Sequence, residues 1–364
     1  MGIPKRDFFT GSVVNAFSSV SAVIVGLLVG LIILLVSNAS QALWAFITIL
    51  TSGFSSLREF GQVLYFATPI IMTGLSVGFC ARTGLFNIGA AGQFIVGAYA
   101  AVLVGVHCTF LPGHLHWITA CLAAILAGAL WGAIPGIFKA LFNVHEVIAC
   151  IMTNYIGTYL VNYLITQTVF DSRQNQSARV LDTANIPKMG LDGIFRDGFI
   201  ISSINGGILL AILFAVLIYI VLEKTSFGYE LKACGFNRDA ARYAGINEKR
   251  SIILSMVIAG ALAGLGGAFL YLAGAGKSIT VVDVLAAEGF QGIPVALLGL
   301  NNPIGIIFAG ILVAYLQVGG FNMQLYNFAP QVIEIIIAVI IYFSAFALLL
   351  RGFISSIKLK KAQL

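Results

Sequence analysis

The chain has 364 residues, 59% of them hydrophobic and 9% charged, with a mean hydropathy of +1.00. Soluble domains carry about 25% charged residues, so this composition excludes them and describes an integral membrane protein. The apolar runs are too continuous for a β-barrel, whose strands alternate over about ten residues. The net charge of +6 is therefore read through membrane orientation and not through nucleic-acid affinity.

Lys5 and Arg6 precede an apolar run from Val13 to Val36, too long for the core of a signal peptide and read as a retained first span. Residues 38–59 read as an amphipathic interfacial stretch with Trp44 as its anchor. Four spans follow: Gln62–Cys80, Ile88–Val106, Trp117–Phe138 and Val144–Ile165. Residues 166–201 form a long polar external loop, and the sixth span is Ile204–Leu222. After a charged stretch at 223–250 come Ile252–Leu272, Val284–Leu300, Pro303–Val318 and Val332–Leu350. The expected fold is thus an all-α polytopic membrane protein of about ten transmembrane helices.

Ten spans put both termini on one side, with 14 of the 20 basic residues, and the positive-inside rule makes that side the cytoplasm. Spans 2–5 and 7–10 then form two sets of four that start from opposite sides. Each set carries a Gly-rich broken segment early, Gly84–Gly97 in one and Gly289–Gly299 with Pro294 in the other. Paired interruptions in an inverted repeat point to a central translocation site. Gly26/Gly30, Gly74/Gly78, Gly128/Gly132 and Gly260/Gly264 have the spacing that lets helices approach closely.

Within 223–250, Asn237 has the character of an N-cap, Arg238 to Ala244 favour helix with Asp239 in the first turn, and Gly245 suits C′. A helix of about two turns is marginal alone in water, so something must hold it. Ala240, Ala241 and Ala244 offer a small-residue surface to a cytoplasmic partner, with Tyr243 beside them and Arg238 and Arg242 at the edge. The competing reading is a solvated basic loop.

Several motifs invite chemistry that their context refuses. Gly276-Lys277-Ser278 lacks the upstream glycine of a phosphate loop, since Tyr271 stands there. Gly74-Leu75-Ser76-Val77-Gly78 matches a nucleophile elbow, but it lies inside a span with no histidine nearby in sequence. The five cysteines have no CxxC pair, so neither a metal site nor a disulfide framework is expected. Glu146, Asp283, Glu288 and Glu334 lie near span ends and form no mid-membrane proton relay. The residues suited to a neutral heterocyclic or hydroxyl-rich solute are the amides Asn87, Gln93, Asn154 and Gln291, with Phe86, Tyr155 and Phe290 for stacking. Amides also hold helices together, and both readings stay open for each.

Four stretches carry a family resemblance: GLFNIGAAGQFIVGA at 84–98, NVHEVIACIMTNYI at 143–156, GYELKACGFNRDAARYAGI at 228–246 and GFQGIPVALLGLNNPIG at 289–305. Together they resemble the permease subunits of ATP-binding-cassette importers for nucleosides and simple sugars, related to ribose and branched-chain amino-acid permeases. His145 and Ala91 depart from the family pattern, the latter where an acidic residue is common.

The resemblance implies that residues 1–364 form a single permease domain in a bacterial cytoplasmic membrane, not an enzyme. It implies a related second permease, an ATPase carrying ATP and magnesium, and an extracellular or lipid-anchored substrate-binding protein. No cofactor is expected on this chain. Glu230, Gly235, Asn237, Arg238, Ala240, Ala241 and Gly245 would couple to the ATPase. Phe86, Asn87, Gln93, Asn154, Phe290 and Gln291 would line the translocation pathway. Import of a nucleoside is the main expectation, with a simple-sugar importer or a gradient-driven secondary carrier as alternatives.

Overall fold

The computed structural model describes residues 6–329, 331–339, 342 and 343, and its contacts divide the chain into two units. The first comprises residues 1–55 and 315–364. It holds helix α1 (Arg6–Ser37), α2 (Ala42–Thr51) and a 3-10 turn at Ser52–Phe54. Leu34, Ala42, Ala45 and Ile49 are buried there. Gly319 lets the Ile49 backbone approach, since a Cβ would sit 2.6 Å from the Ile49 carbonyl oxygen. The Tyr315 hydroxyl donates to the Leu50 carbonyl, and its ring lies 5.0 Å from that of Phe54. The tenth expected span, Val332–Leu350, and the basic residues Arg351, Lys358, Lys360 and Lys361 fall partly or wholly outside the described residues.

The second unit, residues 56–314, contains α3 (Leu57–Arg82), α4 (Ala90–His107), α5 (Gly113–Phe142) and α6 (Glu146–Thr168). It continues through α7 (Leu191–Ile194), α8 (Gly207–Lys224), α9 (Ser226–Phe236), α10 (Arg238–Tyr243) and α11 (Glu248–Tyr271) to α12 (Ala287–Leu298). Helix α13 (Pro303–Met323) is shared by the two units. Seven helices among the described residues are long and apolar enough to cross a membrane: α3, α4, α5, α6, α8, α11 and α13.

The cores of these spans follow the apolar runs, and the ends follow the caps. Ser56 accepts from the Glu59 backbone N–H at 3.2 Å to start α3 five residues before the apolar run begins. Asn247 caps α11 at 3.1 Å in the same way. Asn143 closes α5 in the left-handed conformation at φ 53°. The eighth expected span differs most. Residues 284–300 yield only the 12-residue α12, about 18 Å long with Pro294 inside, which is too short to cross about 30 Å of hydrocarbon.

Helices α3 and α11 are the most enclosed of this unit, and α11 packs on α3, α4 and α5. Its glycines make that possible. Gly128 and Gly132 of α5 face Gly260 and Gly264 of α11, so that a Cβ on Gly128 would collide with the Gly260 carbonyl. Backbone-to-backbone packing of this kind replaces the hydrophobic driving force that lipid does not supply. Gly74 and Gly78 of α3 instead receive the side chains of Val295 and Ile306.

The segment after α6 is more ordered than its polar composition suggests. Antiparallel two-residue pairs form at Phe170–Asp171 with Gln176–Ser177 and at Arg196–Asp197 with Ile200–Ile201. Backbone bonds from Ser177 to Ile279 and from Ile186 to Leu272, each 2.8 Å, stitch the segment onto the strand-like stretch after α11.

Replacing Gly128 with Leu should destabilise the protein by at least the 1–3 kcal/mol or so of core overpacking. In detergent this reads as a lowered thermal midpoint. Gly193→Leu, at a glycine with no atom within 4 Å of its missing Cβ, should leave the midpoint unchanged.

Candidate functional site: the loop helix and the amide clamp

The charged stretch folds into two short helices set against the ends of the spans. Thr225 caps α9 by accepting from Gly228 N–H at 3.1 Å. Asn237 then adopts an extended conformation, and its Oδ1 accepts from Ala240 N–H at 3.0 Å to start α10. At the other end Gly245 takes φ 81°, and its N–H reaches the Arg242 carbonyl at 3.0 Å. Ile246 N–H reaches the Ala241 carbonyl, also at 3.0 Å. This pair of bonds is a Schellman closure, and it needs a left-handed residue where Gly245 stands. A six-residue helix is thus capped at both ends, with Asp239 in its first turn and Arg242 in its last, both favourable to the helix dipole.

Not every residue expected on the docking face lies there. Ala241 is 4% exposed and faces its own chain. Gly235 meets Gly84 backbone to backbone, where a Cβ would lie 2.6 Å from the Thr83 carbonyl carbon. Ala240, Ala244 and Glu230 are exposed, and Arg238 is half-buried. The outward surface is dominated by aromatic rings, with Tyr243 at 95% exposure and Phe236 at 91%. Tyr229 and Phe236 line a depression with Arg82 and Lys232. The ring-rich character was missed by an expectation built on alanines, although Tyr229 and Phe236 stand in the same motif.

Ion pairs tie this loop to the span ends. Glu223 at the foot of α8 receives Arg82 from α3 and, at 3.0 Å, Lys232 from α9. Lys139 near the end of α5 lies 2.7 Å from Glu146 at the start of α6. Glu146, read in sequence as an ionisable group near a span end, is therefore paired. Glu288 likewise stands 3.6 Å from Lys277, whose ammonium lies 5.6 Å from the centre of the Phe66 ring.

The broken segment between α3 and α4 is held by the predicted amides. Asn87 Nδ2 donates to Ser76 Oγ at 3.0 Å and to Gln93 Oε1 at 2.8 Å. Gln93 Nε2 returns a bond to Asn87 Oδ1 at 3.1 Å. Asn154 of α6 accepts from Gly92 N–H at 2.8 Å and donates to the Ile88 carbonyl at 3.0 Å. All three amides are buried, and each has a protein partner on both its oxygen and its nitrogen. This occupies Ser76, the serine of the elbow-like motif, with an amide instead of a histidine.

Phe86, Phe290 and Gln291 are half-buried, and the buried Gln291 Oε1 has no partner among the described residues. Helix α12, which bears Phe290 and Gln291, packs on α3 and α4. Its Gly289 lies against Ala91, so close that a Cβ on the glycine would collide with it. An acidic side chain at position 91 would have no room.

Arg179, Asp182, Asn185, Tyr271 and Lys277 line a polar cavity of about 220 Å³. The sequence pattern offers no signal for it, because its walls come from segments distant in sequence, joined by backbone and side-chain hydrogen bonds.

The chain matches the family described as "Branched-chain amino acid transport system / permease component" over residues 60–345. It is 40% identical over 350 residues to the guanosine ABC transporter permease protein NupP of Bacillus subtilis, covering 94% of this chain and 96% of that one. It is 34% identical over 349 residues to the nucleoside ABC transporter permease protein NupB of Lactococcus lactis, covering 94% and 93%. It is 33% identical over 304 residues to the glucose ABC transporter permease protein TsgB13 of Haloferax volcanii, covering 82% and 78%. No solved structure matches it. With seven helices among the described residues able to span a membrane and a family match across most of its length, this chain is a multi-pass membrane protein that belongs to the branched-chain amino acid transport system permease family, which its likeness to ABC transporter permeases supports.

Proposed function

We propose that this chain is a permease subunit of an ATP-driven nucleoside importer in the bacterial cytoplasmic membrane, with both termini in the cytoplasm. The observation that carries the reading is its similarity, over 94% of its length, to permeases named for guanosine and for nucleosides. A simple sugar is the second reading, favoured by the likeness to a glucose permease over 82% of the chain. A gradient-driven carrier has no support from the family.

The proposed mechanism is alternating access. A related second permease completes the pathway, and a substrate-binding protein delivers solute from outside. ATP and magnesium act on the partner ATPase. Helix α10 docks on that ATPase through its outward face, with Ala240, Tyr243 and Ala244 at the contact and Arg238 at the edge. Asn237 and Gly245 hold the helix in shape, Gly235 and Ala241 seat it on the spans, and Glu230 lies on the exposed side of α9. Motion of the ATPase then reaches α3 and α8 through Arg82, Lys232 and Glu223, and reaches α11 through the short connection at Ile246–Asn247.

Of the six residues expected along the path, Phe86, Phe290 and Gln291 keep that role in this proposal. Asn87, Gln93 and Asn154 act as clamps that hold the broken segment beside it.

Vesicles containing this chain with its cognate partners should take up radiolabelled guanosine only with ATP inside the compartment that holds the ATPase, and excess ribose or glucose should not compete. Competition by the sugar would replace the nucleoside reading with the sugar reading, and uptake that follows an ion gradient without ATP would refute the importer. Asn237→Ala removes a cap worth about 0.5–2 kcal/mol. ATP hydrolysis should continue in that variant while uptake falls at least tenfold. Asn87→Leu leaves Gln93 and Ser76 without their partner, a cost of about 1–3 kcal/mol. Its thermal midpoint should fall while selectivity among nucleosides, measured by competition, stays as in the parent.

A further inference from the structure

Helix α6 has two faces of opposite character. Ala149, Cys150, Thr153, Asn154, Gly157 and Val161 are buried. The other face carries Tyr155, Tyr159 and Tyr163 at successive i, i+4 positions, exposed by 48%, 52% and 62%. The helix runs from Glu146 to Thr168, so Tyr155 and Tyr159 each lie about 3 Å along the axis from its middle. That is far from the headgroup level, about 15 Å from the bilayer centre, where lipid-exposed tyrosines gather.

Another span of this same protein with a largely exposed surface looks different. The exposed large hydrophobic side chains of α8 are all aliphatic, Leu213, Val216, Leu217 and Ile220 among them. Phenol hydroxyls in the middle of hydrocarbon would lose their hydrogen bonds, and α6 places two there. A tightly packed partner helix also fits poorly. Close helix contacts in membranes use small residues, and the small residues of α6 lie on its buried face. Three large rings in line make a surface that keeps a neighbour at a distance. At the external end of the row, Asn162 Nδ2 donates to the Val282 carbonyl at 2.9 Å and to Asp283 Oδ1 at 3.1 Å. The exposed Asp283 carboxylate is thereby fixed beside the row, with acceptor capacity to spare.

We infer that Tyr155, Tyr159 and Tyr163 form a stacking ladder for a planar heterocyclic solute, with Asn162 and Asp283 receiving its hydroxyl groups at the external end. The rings stand about 6 Å apart along the axis, close enough for a base leaving one ring to meet the next. Stacking tolerates any base because every base has a π-face, so the ladder selects heterocycles over plain sugars without selecting one base. The inference rests on the nucleoside reading for the solute and on α6 alone for the surface.

The test uses the complete transporter in lipid vesicles. Tyr159→Cys should react with a charged, water-soluble methanethiosulfonate reagent, above the background of the parent. Cys80, Cys121, Cys150 and Cys234 are buried, and the half-buried Cys108 is controlled by that parent. Saturating guanosine should slow the reaction at least tenfold. In uptake, Tyr159→Phe should keep KM for guanosine within about twofold, and Tyr159→Leu should raise it at least tenfold with the amount of assembled complex unchanged. A Tyr159→Cys that resists the reagent, or a Tyr159→Leu with parental KM, overturns the ladder even if the parent imports guanosine. If the parent imports no guanosine, the nucleoside reading has failed separately. Protection of Tyr159→Cys by a sugar that the parent does import would then overturn stacking as the basis of recognition.

Discussion

The contact between α5 and α11 depends on four missing side chains. Gly128 and Gly132 on one helix and Gly260 and Gly264 on the other bring two backbones together where any Cβ would force them apart. In water such a stripe would forfeit apolar burial, but in a bilayer the tails solvate apolar side chains as well as a neighbour does, and close packing supplies the association. With α11 drawn into this contact, its other sides are left to α3 and α4. Gly97 continues the pattern, since a Cβ there would strike Gly264. The 40 glycines of the chain thus include those that set the spacing of its central helices.

That tight frame makes the broken segments affordable. Residues 83–89 leave the helical ladder between α3 and α4, where buried backbone groups without partners are costly. Asn154 meets two of the exposed backbone groups directly, at Gly92 and Ile88. Asn87 and Gln93 close on each other and on Ser76. One turn away on α3, Gly292 of α12 sits on Thr73, whose hydroxyl donates to the Glu288 carbonyl at 3.0 Å. An irregular backbone held by buried amides and a short helix is the kind of structure that membranes tolerate beside a cavity.

Much of this was legible from residue order, and the limits have physical reasons. Apolar runs located the spans because length and hydropathy are one-dimensional properties. The cap at Asn237 and the turn at Gly245 were readable because capping is local chemistry. The inward turn of Ala241 and the outward turn of Phe236 were not, because they depend on how α9 and α10 are seated on other helices. The amides of Asn87, Gln93 and Asn154 were singled out with both readings open, because whether they face solute or protein depends on partners distant in sequence. The length of α12 was overestimated since residues 284–300 are predominantly apolar, and Pro294 and the glycines alone do not say where the helix starts. The tyrosines of α6 were visible in sequence, and their shared exposed face emerged only with the helix bounds and the identity of its buried side.

The proposed function requires force to enter through the outward face of α10, whose Tyr243 stands clear of the rest of its chain. The most direct check is cysteine crosslinking in the assembled transporter, with Tyr243→Cys joined by a short bifunctional maleimide to cysteines placed on the surface of the ATPase. A crosslink to the ATPase whose yield changes between ATP-bound and nucleotide-free states is the predicted result, with Phe199→Cys in the external loop giving none. A complex that copurifies intact and imports its solute, yet yields no crosslink from Tyr243→Cys in any nucleotide state, would contradict the assignment of α10 as the point of coupling.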